Sequence, residues 1–256
     1  MSETTTGKIK SVIAVMGAKG GVGRSAVTGV LAVALQRQGL KVGILDGDLA
    51  ALSMGYMFGV NEQPISYSDE GLEPATSESG IKIVSVNVTM SEDEPLDWRG
   101  PMVSSAFKQF YSEVDWGELD YLLVDVPAGT ADVPMSVFQS LPLQSCIIVS
   151  SPQSQAVRVA RKSITMANQY KIPITGIVEN MAYFIDHSGE YHTIFGPSRA
   201  SELTAFSGTP LLAQLPLDAH LATLIDAGRI EEYDTEVTQN LAKHVLDALT
   251  ASTRQG

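Results

Sequence analysis

The stretch Ala18-Lys19-Gly20-Gly21-Val22-Gly23-Arg24-Ser25 decides the fold, because it places a glycine-rich turn between a predicted buried strand and a predicted helix. Residues 11–16, SVIAVM, form a short apolar run, typical of a strand covered on both faces in a parallel sheet. Residues 25–36 carry apolar side chains at helical spacing, and Gly39 ends that helix. Backbone N–H groups of such a turn converge near a helix N-terminus, so the pattern predicts an anion site.

The turn fits the phosphate-binding pattern G-x-x-x-x-G-K-[ST] with two substitutions. Ala18 replaces the first glycine and Arg24 replaces the lysine that reaches the β- and γ-phosphates. Ser25 keeps the hydroxyl that binds Mg²⁺. A packing turn without a ligand is the alternative, and the pattern in its context favours nucleotide binding.

The composition excludes some classes of partner. The chain has 17 Lys and Arg against 29 Asp and Glu, a net charge of −12, and such a surface repels nucleic acid and anionic lipid. We therefore expect neither nucleic acid nor a membrane as a partner. The sequence shows no run long enough to span a membrane and no leader with an apolar core, which predicts a cytoplasmic protein. The single cysteine, Cys146, lies in an apolar run and is expected in the core.

The order of predicted elements indicates the fold class. Strands and helices alternate from residue 10 to residue 180, which predicts an α/β fold with a doubly wound, mostly parallel sheet and helices on both faces. We expect residues 10–256 to form a single domain behind a disordered tail over residues 1–9. Residues 61–80, rich in Pro, Gly, Ser and Glu, are predicted as a loop.

Carboxylates follow two of the predicted strands directly. Residues 41–45 lead into Asp46 and Asp48, and residues 121–124 lead into Asp125. Ligands of open parallel sheets lie beyond the carboxyl ends of the strands, so these groups are expected beside the phosphate turn. A solvated turn or a helix cap is the alternative for the first pair. The strand context favours carboxylates that serve a Mg²⁺ shell and position the attacking water.

Two later positions are candidates for nucleotide contacts. The turn over residues 126–132, VPAGTAD, lies where a loop that senses the γ-phosphate is expected, although a plain strand-to-helix connection has the same composition. Asn180 follows a predicted strand at residues 174–178, and its amide can both donate to and accept from an adenine edge. A capping asparagine is the alternative there.

Four longer segments carry a more specific resemblance than the glycine turn does. They are residues 98–103 (WRGPMV), 114–121 (VDWGELDY), 176–181 (GIVENM) and 194–196 (IFG). Together with the run KGGVG followed by a basic residue and serine, they resemble the Mrp/ApbC family, a branch of the MinD/ParA class of P-loop ATPases, over about residues 10–229. The resemblance implies a homodimer-forming ATPase that carries or transfers iron–sulfur clusters.

The resemblance also implies a role for individual positions. Contacts to the nucleotide come from the glycine turn and three later positions: Gly20, Gly21, Val22, Gly23, Arg24, Ser25, Ala26, Gly129, Asn180 and Pro216. Within this set, Gly129 senses the γ-phosphate, and Asn180 with Pro216 meets the adenine. Ser25, Asp46 and Asp125 serve the Mg²⁺ shell. The catalytic set is Lys19, which reaches the partner subunit's nucleotide, Asp48, which orients water, and Arg24.

The chain departs from the family at the cluster site. Where the family has a Cys-x-x-Cys pair that holds a bridging cluster, residues 185–189 read IDHSG. Because Cys146 belongs to a different strand, no thiolate pair exists, and an iron–sulfur cluster is not expected in this chain alone. Four nearby side chains offer N and O ligands to a metal, although short loops often contain such residues without one: Asp186, His187, Glu190 and His192.

These observations lead to a functional hypothesis with two alternatives. Arg24 keeps the positive charge of a lysine but is planar and bulkier, so we expect ATP binding with slow hydrolysis. The leading hypothesis is an ATP- and Mg²⁺-binding homodimer that acts as a switch on an unidentified protein client. One alternative is cluster delivery by a heterodimer with a cysteine-bearing paralogue. The other is a scaffold that does not hydrolyse ATP.

Overall fold

The computed structural model describes residues 9–17, 19–47, 53–63, 66–68, 71–85, 100–127 and 132–253. The strands in these ranges are β1 (Ile9–Met16), β2 (Val42–Asp46), β3 (Ser66–Ser68), β4 (Gly71–Glu73), β5 (Ala75–Thr76), β6 (Lys82–Ser85), β7 (Leu119–Val126), β8 (Ser145–Ser150), β9 (Ile174–Ile185), β10 (Tyr191–His192) and β11 (Leu211–Pro216). The helices are α1 (Arg24–Arg37), α2 (Ser53–Met57), α3 (Gly100–Glu113), α4 (Asp132–Ser140), α5 (Ser154–Gln169), α6 (Ala200–Ser207), α7 (Ala219–Asp226) and α8 (Glu236–Thr253), with a 3₁₀ turn at Ile230–Glu232.

A nine-stranded, mostly parallel sheet forms the centre of the described structure. Its order is β10-β9-β8-β1-β7-β2-β6-β5, and β11 also pairs with β9. The pairs from β6 through β2, β7, β1, β8 and β9 to β11 are parallel, whereas β5 and β10 join antiparallel. The predicted doubly wound α/β sheet is confirmed.

Helices cover both faces of this sheet, which explains why its strands read as continuous apolar runs. Neighbouring residues of β7 point to opposite faces, so Leu123 joins a cluster with α1 and α8, and Leu122 joins one with α3, α4 and α5. Both leucines are fully buried. No helix in the described ranges has both the length and the apolar composition required to cross a membrane.

The prediction of a loop over residues 61–80 was wrong in part. This segment contains β3 and β4, which pair with each other, and β5, which pairs with the edge strand β6. These strands have two or three residues each, too few to produce an alternating pattern in the sequence. At the other end of the sheet, β9 continues past residue 178 and pairs with β10. The predicted tail lies outside the described residues except for Ile9, which begins β1.

The register of the central strands places two carboxylates side by side. Asp125 of β7 pairs with Val15 of β1 on one side and with Asp46 of β2 on the other. Partners in register on parallel strands point to the same face, and this is the face covered by α1. Both carboxylates therefore lie at the C-terminal edge of the sheet, below the first turn of α1.

The contact between β9 and β11 leaves no room for a side chain at Gly176. A methyl group there would lie 2.7 Å from the carbonyl oxygen of Pro210 and 2.6 Å from Cγ of Leu212. We expect Gly176→Ala to lower the free energy of unfolding by about 1–3 kcal/mol, because β11 must shift to accept the methyl group. Urea denaturation of the protein without nucleotide measures this loss.

Gly20→Ala is the matched control, since no atom lies within 4 Å of the position its methyl group would take. Equal stability of the two variants would contradict the close approach of β11 to Gly176.

Candidate functional site

The turn between β1 and α1 is an open cradle of backbone. Gly21 and Gly23 have φ values of 82° and 77°, a left-handed conformation that glycine adopts without strain. Gly20 and Gly21 are exposed, and among the described residues a methyl group on either would meet no atom within 4 Å other than those of its chain neighbours. Gly23 precedes α1 and offers no side chain to its first N–H groups. The N-terminus of α1 is therefore available to an anion.

Asn180 fixes the floor of this turn. Its side-chain amide donates to the carbonyl oxygen of Val22 at 2.9 Å, and Val22 itself is buried. A methyl group at Gly23 would lie 2.2 Å from the same amide nitrogen, so this position requires glycine for space as well as for φ. Asn180 thus links the end of the parallel part of β9 to the phosphate turn.

Arg24 points into the protein and pairs with Asp125. Its Nε donates to Oδ1 of Asp125 at 2.5 Å and its Nη2 donates to Oδ2 at 3.2 Å. The exposed fraction of the two side chains is 7% and 0%, so this bidentate pair is buried. Planar guanidinium geometry makes such a fork possible, whereas a lysine is a point charge.

Two hydroxyl groups also donate to Asp125. Ser25 Oγ donates to Oδ2 at 2.6 Å, and Thr28 Oγ1 donates to Oδ1 at 3.2 Å. Sequence reasoning missed Thr28, although its position four residues after Arg24 places it on the same helix face. Arg24 Nη2 also donates to Ser25 Oγ at 3.2 Å, so these side chains form one network.

Asp46 accepts hydrogen bonds from α2 and from β6, the next strand of the sheet. Its Oδ2 accepts hydrogen bonds from Ser85 Oγ at 2.7 Å, from the Met54 N–H at 3.1 Å and from Ser53 Oγ at 3.4 Å. Sequence reasoning missed Ser85, which its place at the carboxyl end of β6 could have revealed. Asp48, predicted to orient water, lies outside the described residues.

The donor set predicted for Mg²⁺ is already engaged within the protein. Ser25 and Asp125 are bonded at the first turn of α1 and Asp46 contacts the start of α2, but the oxygens of Asp125 contact a guanidinium and two hydroxyls. Mg²⁺ requires oxygen ligands in a near-octahedral arrangement. The side chains as arranged do not fit an additional cation, and the predicted Mg²⁺ shell stays a prediction.

Lys19, on the exposed side of the turn, has a partner within its own chain. Its Nζ donates to Oε1 of Gln153 at 2.7 Å, and Gln153 is the residue that precedes α5. The lysine therefore lies along the rim of the turn in this state. Gly129, predicted to sense the γ-phosphate, lies outside the described residues.

The residues predicted to contact adenine share one pocket beside α1. Its cavity volume is about 10 Å³, enough for a single water, so a purine enters only when the walls separate. The described lining is mostly apolar and includes both predicted residues: Ala26, Val27, Val30, Asn180, Leu215, Pro216, Leu221, Tyr233 and Thr238.

The hairpin that replaces the cysteine motif groups three potential metal ligands. One ligand atom from each of Asp186, Glu190 and His192 lies within 4.8 Å of the others. Asp186 accepts hydrogen bonds from Ser188, from the Glu190 N–H and from His192 Nε2. These bonds, that from the Ser188 hydroxyl first, hold the pKa of the Asp186 carboxyl well below its usual range. They account for the grouping as a closed turn, and a metal here stays a hypothesis.

Cys146 is a core residue, as predicted. It lies in β8 with no exposed surface, and burial raises the pKa of its thiol to about 12. A thiol in this state is neither a nucleophile nor a ready cluster ligand. The chain's single cysteine is thus removed from the surface.

Comparison with known proteins agrees with the fold and with the phosphate turn. Residues 8–250 match a family model described as ParA, NUBPL iron-transfer P-loop NTPase. The chain is 41% identical over 241 residues to an iron-sulfur cluster carrier protein of Clostridium perfringens, with coverage of 91% of this chain and 85% of that protein.

Solved structures give the same result. A nucleotide-binding protein of Archaeoglobus fulgidus in complex with ADP is 42% identical and superposes with a TM-score of 0.81, covering 91% of this chain and 92% of that one. The septum site-determining protein MinD of Pyrococcus horikoshii, complexed with Mg-ADP, is 20% identical with a TM-score of 0.69 over 96% of this chain and 98% of that one, a likeness of fold alone.

The buried Arg24–Asp125 pair predicts that the loss of two carboxylates, one buried and one exposed, lowers the free energy of unfolding by very different amounts. Asp125→Ala leaves Arg24 buried without its main counter-charge, so we expect a loss of about 3–5 kcal/mol in the free energy of unfolding. Glu118→Ala removes an ion pair with Lys41 in which both side chains are more than half exposed, and its loss is expected at about 0–1 kcal/mol. Urea denaturation compares the two, and similar small losses would show that the Arg24–Asp125 pair is not formed in solution.

Burial of Cys146 predicts a thiol that does not react in the folded protein. At mildly alkaline pH the thiolate is nearly absent, because burial raises the pKa of the thiol to about 12. We expect no labelling by a chromogenic disulfide reagent until urea unfolds the chain, after which labelling is complete. Rapid labelling of the native protein would place Cys146 at the surface instead.

Proposed function

Because the chain belongs to the ParA-type family of NUBPL iron-transfer P-loop NTPases, we propose that it binds ATP at the turn between β1 and α1. In this proposal ATP binding drives formation of a homodimer that acts on a protein client, and hydrolysis is slow. The observation that carries the proposal is the open glycine turn at the N-terminus of α1, with the Ser25–Asp125 network and the Asn180 pocket on either side.

The phosphates bind along the backbone of the turn. Gly20, Gly21 and Gly23 leave the N–H groups uncovered, and the positive end of the α1 dipole favours the same anion. Val22 and Ala26 contribute backbone at the two ends of this cradle. The charge of Arg24 lies below the turn and adds to the attraction.

The base enters the pocket between Asn180 and Pro216. Asn180 already donates one amide hydrogen to Val22, so its amide oxygen is the group offered to an adenine amine. Pro216, at the end of β11, supplies an apolar surface for the ring. Opening of this pocket is the cost that base binding must overcome.

Lys19 contributes to the second nucleotide site of the dimer. Its bond to Gln153 is a charged–neutral hydrogen bond at a half-buried position, so the lysine can exchange this partner for a phosphate of the opposite subunit. Asp48 orients the attacking water and Gly129 senses the γ-phosphate. Hydrolysis is slow because Arg24 is held by Asp125 and does not follow the transferred group.

Cluster delivery with a cysteine-bearing partner is the second candidate. Similarity to a protein named as an iron-sulfur cluster carrier favours it, whereas a chain with one buried cysteine lacks the thiolates of a cluster. In this reading the partner supplies the ligands within a mixed dimer. Iron bound only to the co-purified pair supports this candidate over the homodimeric switch.

Substitution of Lys19 tests the proposed switch. We expect Lys19→Ala to bind ATP within about threefold of the wild-type affinity, since the half-buried Lys19 bonds Gln153 within its own subunit and contacts the partner's nucleotide instead. The variant is expected to lose the ATP-dependent increase in mass, because the partner's nucleotide loses its contact. Fluorescent ATP titration and light scattering with Mg-ATP measure the two properties.

Lys10→Ala is the matched control, because Lys10 is 73% exposed and pairs with Asp120 far from the turn. A wild-type chain that fails to bind ATP at millimolar concentration contradicts the proposal and favours the scaffold. An ATP-dependent dimer that survives in Lys19→Ala contradicts the role given to Lys19.

A further inference from the structure

We propose that Arg24 takes the place of a metal ion in this site, so that the chain binds ATP without Mg²⁺. The proposal rests on the ATP binding proposed above and specifies which cation that site contains. It gives the arginine substitution a direct function, namely a permanent cation supplied by the protein.

The position of the guanidinium is the first argument. Its Nη2 lies 3.2 Å from Ser25 Oγ and 3.2 Å from Asp125 Oδ2. These are oxygens of the hydroxyl and the carboxylate that the phosphate-binding pattern assigns to a metal shell. One nitrogen of Arg24 thus contacts both groups at once.

The bonding capacity of Asp125 is the second argument. Oδ1 accepts from Arg24 Nε and Thr28 Oγ1, and Oδ2 accepts from Arg24 Nη2 and Ser25 Oγ. A carboxylate offers about four lone-pair sites, so these four donors use its capacity. A metal, or a water bound to it, would have to displace a donor that the protein itself supplies.

Burial and charge are the third argument. The guanidinium cannot lose its proton in a protein, so the positive charge is permanent. The exposed fractions are 7% for Arg24 and 0% for Asp125, so the pair lies in the protein interior, where opposite charges attract more strongly than in water. A divalent cation that approached Asp125 would meet a carboxylate whose charge is already balanced by a guanidinium that cannot move into solvent.

Lysine at the same position would behave differently. An ammonium group carries its donors on a single nitrogen and lacks the planar fork that places one nitrogen on each oxygen of Asp125. A lysine is therefore free to turn toward the phosphates, which leaves Asp125 and Ser25 to a hydrated metal. The identity of residue 24 decides whether the site takes its cation from the protein or from solution.

The test compares ATP affinity in excess Mg²⁺ with ATP affinity in excess EDTA. For the wild type we expect the two dissociation constants to agree within about threefold, because the guanidinium charge is present in both. For Arg24→Lys we expect ATP to bind at least about tenfold more tightly with Mg²⁺ than with EDTA. Arg158→Lys, an exposed position on α5, is the matched control and should keep the wild-type ratio.

Ser25→Ala provides a second readout that does not depend on the folding of the Arg24 variant. If Ser25 serves Asp125 rather than a metal, its loss changes ATP affinity by the same factor with Mg²⁺ and with EDTA. A loss confined to Mg²⁺ would show that the hydroxyl binds metal and would overturn the proposal.

The results for the wild type distinguish the proposed ATP site from the proposed role of Arg24. ATP binding in EDTA comparable to that in Mg²⁺ supports the role of Arg24. Binding only with Mg²⁺ overturns this role and leaves the proposed ATP site intact. Absence of ATP binding under both conditions overturns the ATP site and the role of Arg24 together.

Discussion

The buried pair of Arg24 and Asp125 connects the phosphate turn to the centre of the sheet. Asp125 lies on β7, between the strand that leads into the turn and the strand that ends at Asp46, so its position is set by the register of β1, β7 and β2. Arg24 is the first residue of α1. The pair, together with the hydroxyls of Ser25 and Thr28, fixes where α1 begins relative to the sheet. Without that constraint the glycine turn has few contacts with the rest of the described structure, in which a methyl group on Gly20 or Gly21 would meet no neighbour within 4 Å.

Sequence patterns predicted the strands that helices cover on both faces. Strands buried on both faces read as apolar runs, and the glycine turn, Asp46 and Asp125 could be placed because parallel strands deliver their C-termini to one edge. The direction of Arg24 could not be predicted, because the pattern that aligns it with a lysine contains no information on side-chain geometry. The hydrogen bond from Asn180 to Val22 joins residues that are distant in sequence, and only the pairing of β9 brings them together.

Asn180 both supports the glycine turn and lines the apolar pocket beside α1. Its amide nitrogen supports the phosphate turn at Val22, and the same side chain lines the pocket that ends at Pro216. A base that opens this pocket must therefore work against a group that also shapes the cradle. The proposed phosphate and base sites are consequently coupled, because a movement of Asn180 changes the support beneath Gly23, where a methyl group would lie 2.2 Å from its amide nitrogen.

Lys19 and Arg24, the two basic residues that flank the glycines, differ in the strength of the contacts that hold them. This difference suits them to different roles. Lys19 bonds a neutral amide at the rim, an interaction worth about 0.5–3 kcal/mol that a phosphate can replace. Arg24 is buried in a bidentate pair, whose rupture would cost about 3–5 kcal/mol. In the proposed site, a nucleotide bound at the turn draws the lysine away from Gln153 and leaves the Arg24–Asp125 pair in place. In the proposed dimer, Lys19 is the charge that contacts the other subunit, whereas Arg24 holds the start of α1 against β7.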